Sequence, residues 1–200
     1  MDPFLERLLD LTIEIQQVPA PTFQEAQRAD LIRECFRLEK NVTVEMDAVG
    51  NVLACLPGDG RAAPIVVTSH MDTVFPLETN LRFTSECDRV FGAGIGDNSL
   101  GVAGLFGLLW QLSERKIKLP GDLWLAANVC EEGLGDLKGM RALIDRFGTA
   151  PRAYLVLEGM AFGHIYNRAL GVRRYRISIN TSGGHSWTDY GAASAVHELT

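Results

Sequence analysis

The sequence lacks closely paired cysteines. Its four, Cys35, Cys55, Cys87 and Cys130, are widely separated and form no CxxC pair, which fits reduced thiols in a cytoplasmic protein better than a disulfide framework. It also lacks an excess of positive charge. The formal net charge of -6 argues against a nucleic-acid partner, because phosphate binding needs a basic face. No apolar run is long enough to span a membrane, and the charged, amphipathic start Met1-Asp2-Pro3-Phe4-Leu5-Glu6-Arg7 is not a secretory signal. No internal repeat or low-complexity segment is visible. What remains is a chain of 200 residues, nearly half of them hydrophobic, the profile of a globular protein with one domain or one domain plus the start of another.

Apolar residues Leu5, Leu8, Leu9 and Ile13 recur at helical spacing and predict a helix over 4–17, ended by Pro19-Ala20-Pro21-Thr22. A second helix is expected over 23–38, with Thr22 as its cap. Val42–Met46 and Asn51–Leu56 read as β-strands around a turn at Val49-Gly50. Ile65–Thr68 is a short apolar, β-branched run, and Leu123–Val129 and Tyr154–Leu157 read likewise as buried strands, as expected of strands covered on both faces. Residues 76–96 read as loop. Helices are expected over 100–112, where glycines at 101, 104 and 107 permit close packing, and over 139–147. Strands alternating with helices predict an α/β fold with a central, mostly parallel sheet flanked by helices.

The pattern changes after Gly159. Arg174–Asn180 alternates polar and apolar residues, as an antiparallel strand with one wet face does, and a helix is expected from near Ala192. A domain boundary is placed near 168–172, giving a catalytic domain over 1–170 and the start of an α/β lid or dimerisation domain over 171–200. One strand and part of a helix cannot bury a core, so the sequence reads as a portion of a longer protein or as half of something another chain completes.

The chemistry gathers where the buried strands end. One runs into His70-Met71-Asp72, one into Glu131-Glu132 and one into Glu158, while Asp97 lies before the third helix. In open α/β sheets ligands bind beyond the carboxyl ends of strands. Such a cluster of carboxylates repels itself, and no Arg or Lys lies within three residues of any of the six. A metal is the economical neutraliser. Mixed imidazole and carboxylate suits zinc, with manganese or cobalt as substitutes, and the surplus of carboxylate suits a pair of metals. Taken singly, each block has a plainer reading: a hydrogen-bonded histidine, a solvated Glu doublet, or a helix cap at Asp97-Asn98-Ser99. The metal reading accounts for all four in order. Gly92-Ala93-Gly94-Ile95-Gly96 is not a dinucleotide fingerprint, since no strand feeds it directly, and Ser186 lacks a nucleophile elbow.

The blocks Ser69-His70-Met71-Asp72-Thr73-Val74, Gly94-Ile95-Gly96-Asp97-Asn98, Glu131-Glu132-Gly133 and Glu158 together resemble the M20 family of metallopeptidases and deacylases, over a span from about residue 15 to the end. Gly183-Gly184-His185-Ser186-Trp187 resembles the family's lid motif, with Trp187 in place of a small residue. The resemblance implies a two-zinc amide hydrolase. His70 and Glu158 would bind the first metal, Asp97 would bridge, and Glu132 would bind the second. Glu131 would be the general base toward a metal-activated water. Asp72 would orient the His70 ring, and His185, on the lid, would polarise the scissile carbonyl. The family's second metal also takes a histidine from far beyond residue 200, so these residues alone are expected to hold that metal weakly and to hydrolyse little. Substrates would be small peptides or N-acyl amino acids, and the lid would mediate a homodimer. Two rivals are a deacylase using the same site and a non-catalytic, truncated binding or dimerisation module.

Overall fold

The computed structural model describes residues 2–159 and 162–199. Helix α1 (Pro3–Gln16) starts where the sequence places its signals: the Asp2 side chain accepts the backbone N–H of Phe4 at 2.9 Å, and proline stands in the first turn, where no N–H is needed. Helix α2 (Ala26–Leu38) starts later than expected. Thr22 does not cap it, and Glu25 at the cap position makes no side-chain cap bond. The Thr22 hydroxyl goes to Asp72 instead. The remaining elements are β1 (Thr43–Met46), β2 (Val52–Leu56), β3 (Ile65–His70), β4 (Thr84–Glu86), β5 (Arg89–Phe91), α3 (Leu100–Glu114), β6 (Leu123–Asn128), α4 (Lys138–Phe147), β7 (Ala153–Val156) and α5 (Ala195–Leu199).

Five strands form one sheet in the order β1-β2-β6-β3-β7. The mostly parallel sheet expected from the sequence is corrected here to a mixed one. β1–β2 and β2–β6 pair antiparallel, while β6–β3 and β3–β7 pair parallel. The cause is local. Asp47 caps the β1–β2 turn by accepting the backbone N–H groups of Val49, Gly50 and Asn51, and so short a connection joins only antiparallel strands. The loop-like segment before Asp97 also contains a hairpin, β4–β5.

Side-chain alternation sorts the sheet into two faces. Val52, Ala54, Leu125 and Ala127 face a core shared with Leu11 and Ile15 of α1, Ile32 and Phe36 of α2, and Val102, Phe106 and Leu109 of α3. The rings of Phe36 and Phe106 stack there with centroids 4.0 Å apart. Leu53 and Ala126 face the other way, onto Leu143 of α4. β3 and β6 are buried, as their apolar runs predict. β7 is not: it is the sheet's edge, and Leu155 and Val156 are 51% and 59% exposed.

The chain divides into two compact units, Met1–Phe162 and Gly163–Thr200. In the second, the stretch Arg174–Asn180 is not a strand. Alternation gives a strand one wet face but no partner, and among the described residues nothing pairs with it.

Arg28 is the largest polar side chain sealed in the core, 1% exposed. Its Nε donates to the Val18 carbonyl at 2.8 Å and its Nη1 to the Met71 carbonyl at 2.8 Å. Replacing it with Met leaves those carbonyls unpaired, and Arg28→Met is expected to cost about 3 kcal/mol of stability in urea unfolding. Cys55 gives a pH test. Burial, and then the charges of Asp122 and Glu45, push its thiol up from 9.0 to about 11. The folded state thus favours the protonated thiol. That contribution is whole below pH 9 and is lost as pH rises from 9 toward 11. Cys55→Ala is expected to flatten the alkaline fall of the urea midpoint across that interval; an unchanged slope would count against the assignment.

Candidate metal centre

Parallel pairing of β3 with β6 and β7 places their carboxyl ends on one edge of the sheet. His70 closes β3 opposite Asn128 of β6, and the chain beyond Asn128 leads to Glu131 and Glu132. β7 leads through Leu157 to Glu158. Asp97 arrives on the tight turn Ile95–Ser99 ahead of α3, where Asp97 and Asn98 leave helical backbone angles and are joined by a cis peptide. Asn98 anchors that turn. Its amide donates to the Leu157 carbonyl at 2.9 Å, and its side-chain oxygen accepts the Gly101 N–H at 3.1 Å, so it serves α3 as the cap expected of this segment.

The imidazole of His70 is nearly inaccessible, 2% exposed. Its Nδ1 lies 3.0 Å from the Asp72 backbone carbonyl. A carbonyl only accepts, so Nδ1 carries the hydrogen and Nε2 is left free for a cation. Nε2 lies 3.1 Å from Asp97 Oδ1 and 3.5 Å from Glu158 Oε2. Two sets of donor atoms fall within 4.8 Å of one another: His70, Asp97 and Glu158, and His70, Glu131 and Glu132. Imidazole with several carboxylates at such spacing fits a hard or borderline divalent metal.

Asp72 is fully buried. Its Oδ1 accepts the Glu131 N–H at 3.0 Å, and its Oδ2 accepts the Glu132 N–H at 2.9 Å and the Thr22 hydroxyl at 2.9 Å. Burial opposes its ionisation, yet His70, these N–H groups and Thr22 outweigh burial and hold it below the usual carboxylate range. Burial likewise opposes charge on His70, but its hydrogen bonds to Asp72 and Glu158, and their charges, raise it to about 10. Glu158 is held low despite burial, chiefly by His70. Glu131 and Glu132 are raised, first by burial and then by neighbouring carboxylates, with His70 opposing. Asp72 and Glu158 are thus drawn toward the ionised form, and Glu131 and Glu132 toward the protonated one.

The structure thus brings together His70, Asp72, Asp97, Glu131, Glu132 and Glu158 within the first unit. His185 belongs to the second. There its backbone N–H donates to Asp189 at 2.7 Å and its Nδ1 accepts from the Trp187 N–H at 3.2 Å. Sequence reasoning missed Glu25 and Asn51. The Cys130 N–H and thiol both donate to buried Glu25, at 3.0 and 3.4 Å, fixing the residue before Glu131. Buried Asn51 accepts the Val129 N–H at 3.0 Å and donates to the Gly139 carbonyl at 2.9 Å. A signal existed for α2: Glu25 and Arg28 share the helical face of Ile32 and Phe36, and charges on an apolar face call for buried partners.

Comparison with known proteins identifies the family and the fold. The model of peptidase family M20/M25/M40 matches residues 66–188. The chain is 28% identical over 204 residues to a succinyl-diaminopimelate desuccinylase of Corynebacterium glutamicum, in an alignment covering 100% of this chain and 55% of that protein. It is 32% identical over 143 residues to a peptidase M20 domain-containing protein of Schizosaccharomyces pombe, covering 66% of this chain and 34% of the relative. The structure of aminopeptidase PepT from Bacillus cereus superposes with a TM-score of 0.66 at 28% identity, over 78% of this chain and 44% of that one. The fold is shared with the YXEP protein of Bacillus subtilis, described as a dinuclear metal-binding peptidase, at a TM-score of 0.58 and 21% identity, over 78% and 43% of the two chains. The chain spans about half the length of the first curated relative.

Two substitutions probe the scaffold. Asp72→Ala is expected to weaken zinc binding about 10- to 100-fold in a chelator-competition titration, with the fold retained by circular dichroism. A Cβ on Gly159 would fall on the Gly96 carbonyl oxygen, so Gly159→Ala is expected to force Glu158 and Asp97 apart and to weaken zinc binding in the same titration.

Proposed function

We propose, on the premise that this chain belongs to peptidase family M20/M25/M40, that it carries the metal-binding half of a hydrolase cleaving a peptide or related amide bond. The observation behind the reading is the convergence of Asp97, Glu158, Glu131 and Glu132 on the single imidazole of His70 at the carboxyl edge of the sheet. The proposed metal is zinc, two per full-length subunit, with cobalt or manganese as substitutes. His70 and Glu158 would hold the first ion, Asp97 would bridge, and Glu132 would hold the second. When bound, the ions supply Lewis acidity toward water and the scissile carbonyl.

The chain's own residues do the rest. Glu131, beside the ligands but proposed not to be one, takes a proton from the attacking water and returns it to the leaving amine. Asp72 aims His70 and sets the backbone at Glu131 and Glu132. His185, proposed to sit on a lid that also mediates dimerisation, polarises the carbonyl oxygen. The four unpaired thiols fit the proposed cytoplasmic setting.

A second reading, an N-acyl-amino-acid deacylase with the same site, is favoured by the desuccinylase that aligns with the whole of this chain. A panel of di- and tripeptides against N-acetyl and N-succinyl amino acids, run on the full-length protein, separates the two. Metal content after purification tests both against a non-catalytic module. Glu131→Gln is expected to lower kcat by about 100-fold or more while zinc stoichiometry stays unchanged. Loss of zinc would instead mean that Glu131 is a ligand and Glu132 the base.

A further inference from the structure

We propose that Phe23 determines specificity, making apolar contact with a bulky side chain that flanks the scissile bond; this rests on the hydrolase reading above. Phe23 stands third in the four-residue turn closed by the Gln24 N–H on the Pro21 carbonyl at 2.8 Å, with φ +75°. That position in a turn of this hand favours glycine. A phenylalanine there is strained, and at 61% exposed it gains little from core packing. Strain of this kind persists where the surroundings fix the backbone, and it collects at functional sites.

The surroundings that fix it are those of the metal centre. Thr22 and the Glu132 N–H share one oxygen of Asp72. The Thr73 N–H donates to the Ala20 carbonyl at 2.9 Å, and Pro21 bridges Thr73. Three loops therefore meet on Asp72, and each carries an exposed apolar residue within two positions of a residue that makes this junction: Phe23 beside Thr22, Val74 after Asp72 and Leu134 after Glu132, at 61%, 64% and 65% exposure. Backbone strain gathers here too, with positive φ at Cys130, Asp136 and Leu137 as well as at Phe23. No Lys or Arg occurs in residues 18–25, 69–75 or 128–135. Apart from the buried His70 ring, these loops thus offer a substrate group apolar surface and carry no Lys or Arg of their own. That suits an aliphatic or aromatic side chain and not a free carboxylate.

The test measures binding as well as turnover. In the zinc-loaded Glu131→Gln chain, calorimetry with Leu-Gly-Gly, Gly-Leu-Gly and Gly-Gly-Gly is expected to show leucine on one side of the bond favoured by about tenfold over glycine. Adding Phe23→Gly is expected to reduce that preference to about twofold or less, with zinc stoichiometry unchanged and the thermal midpoint not lowered, because glycine suits φ +75°. A leucine preference that survives Phe23→Gly overturns the proposal. So does a lowered midpoint, which would make Phe23 a packing residue, or the absence of any tripeptide binding. Failure of the hydrolase reading looks different: the chain with Glu131 intact retains no divalent metal after purification and takes up none in titration, while the side-chain preference in binding is still measurable.

Discussion

A buried carboxylate in water-free surroundings has to be satisfied by donors, and Asp72 is where this molecule concentrates them. It draws the Glu131 and Glu132 N–H groups and the Thr22 hydroxyl onto two oxygens, with His70 alongside. Those donors come from three stretches far apart in sequence. Folding them onto one side chain is what converts strand ends into a site. Glu25 under Cys130 and Asn98 under Leu157 repeat the device on a smaller scale, each pinning a loop by its backbone. The groups that would touch a metal are thereby held by groups that would not.

Charge follows from the same arrangement. Five carboxylates around one imidazole would push each other apart unless something positive stood among them. Hydrogen bonds from His70 to Asp72 and Glu158, with the charges of those two groups, outweigh burial, raise the ring to about 10 and draw it toward its positive form. Glu158 beside the ring and Asp72 beneath it benefit and stay ionised. Glu131 and Glu132, served less well, drift upward. A difference in role between neighbouring acids is already present in their surroundings before any ligand arrives.

Much of this was legible in the chain. Ile65–Thr68 and Leu123–Val129 are apolar enough to declare buried strands, and the ionisable residues that end them declare an edge with chemistry. The limits were also physical. Periodicity tells how a strand is covered, not which neighbour it takes, so the antiparallel seat of β2 against β6 was invisible. Tyr154–Leu157 carries the same apolar signature as β3, yet it ends up at the rim with its side chains half in water. Asn51 escaped notice because its partners include backbone N–H and C=O groups that no residue pattern marks, and Glu25 because a charge on an apolar helical face announces a buried partner without saying which. The resemblance supplied roles for the six residues that gather in the first unit. It could not supply the junction that makes them gather.

The rim strand has one more consequence. Among the described residues β7 pairs with β3 alone, and Ala153–Val156 holds neither charge nor proline to blunt its other side; Arg152 stands at its mouth. Such an edge is a template for another strand. Because β7 runs directly into Glu158, any chain that adds to it lands beside a metal ligand. Strand addition and metal binding would then fall on one edge of the sheet, so an occupant of the rim would be a neighbour of the first ion.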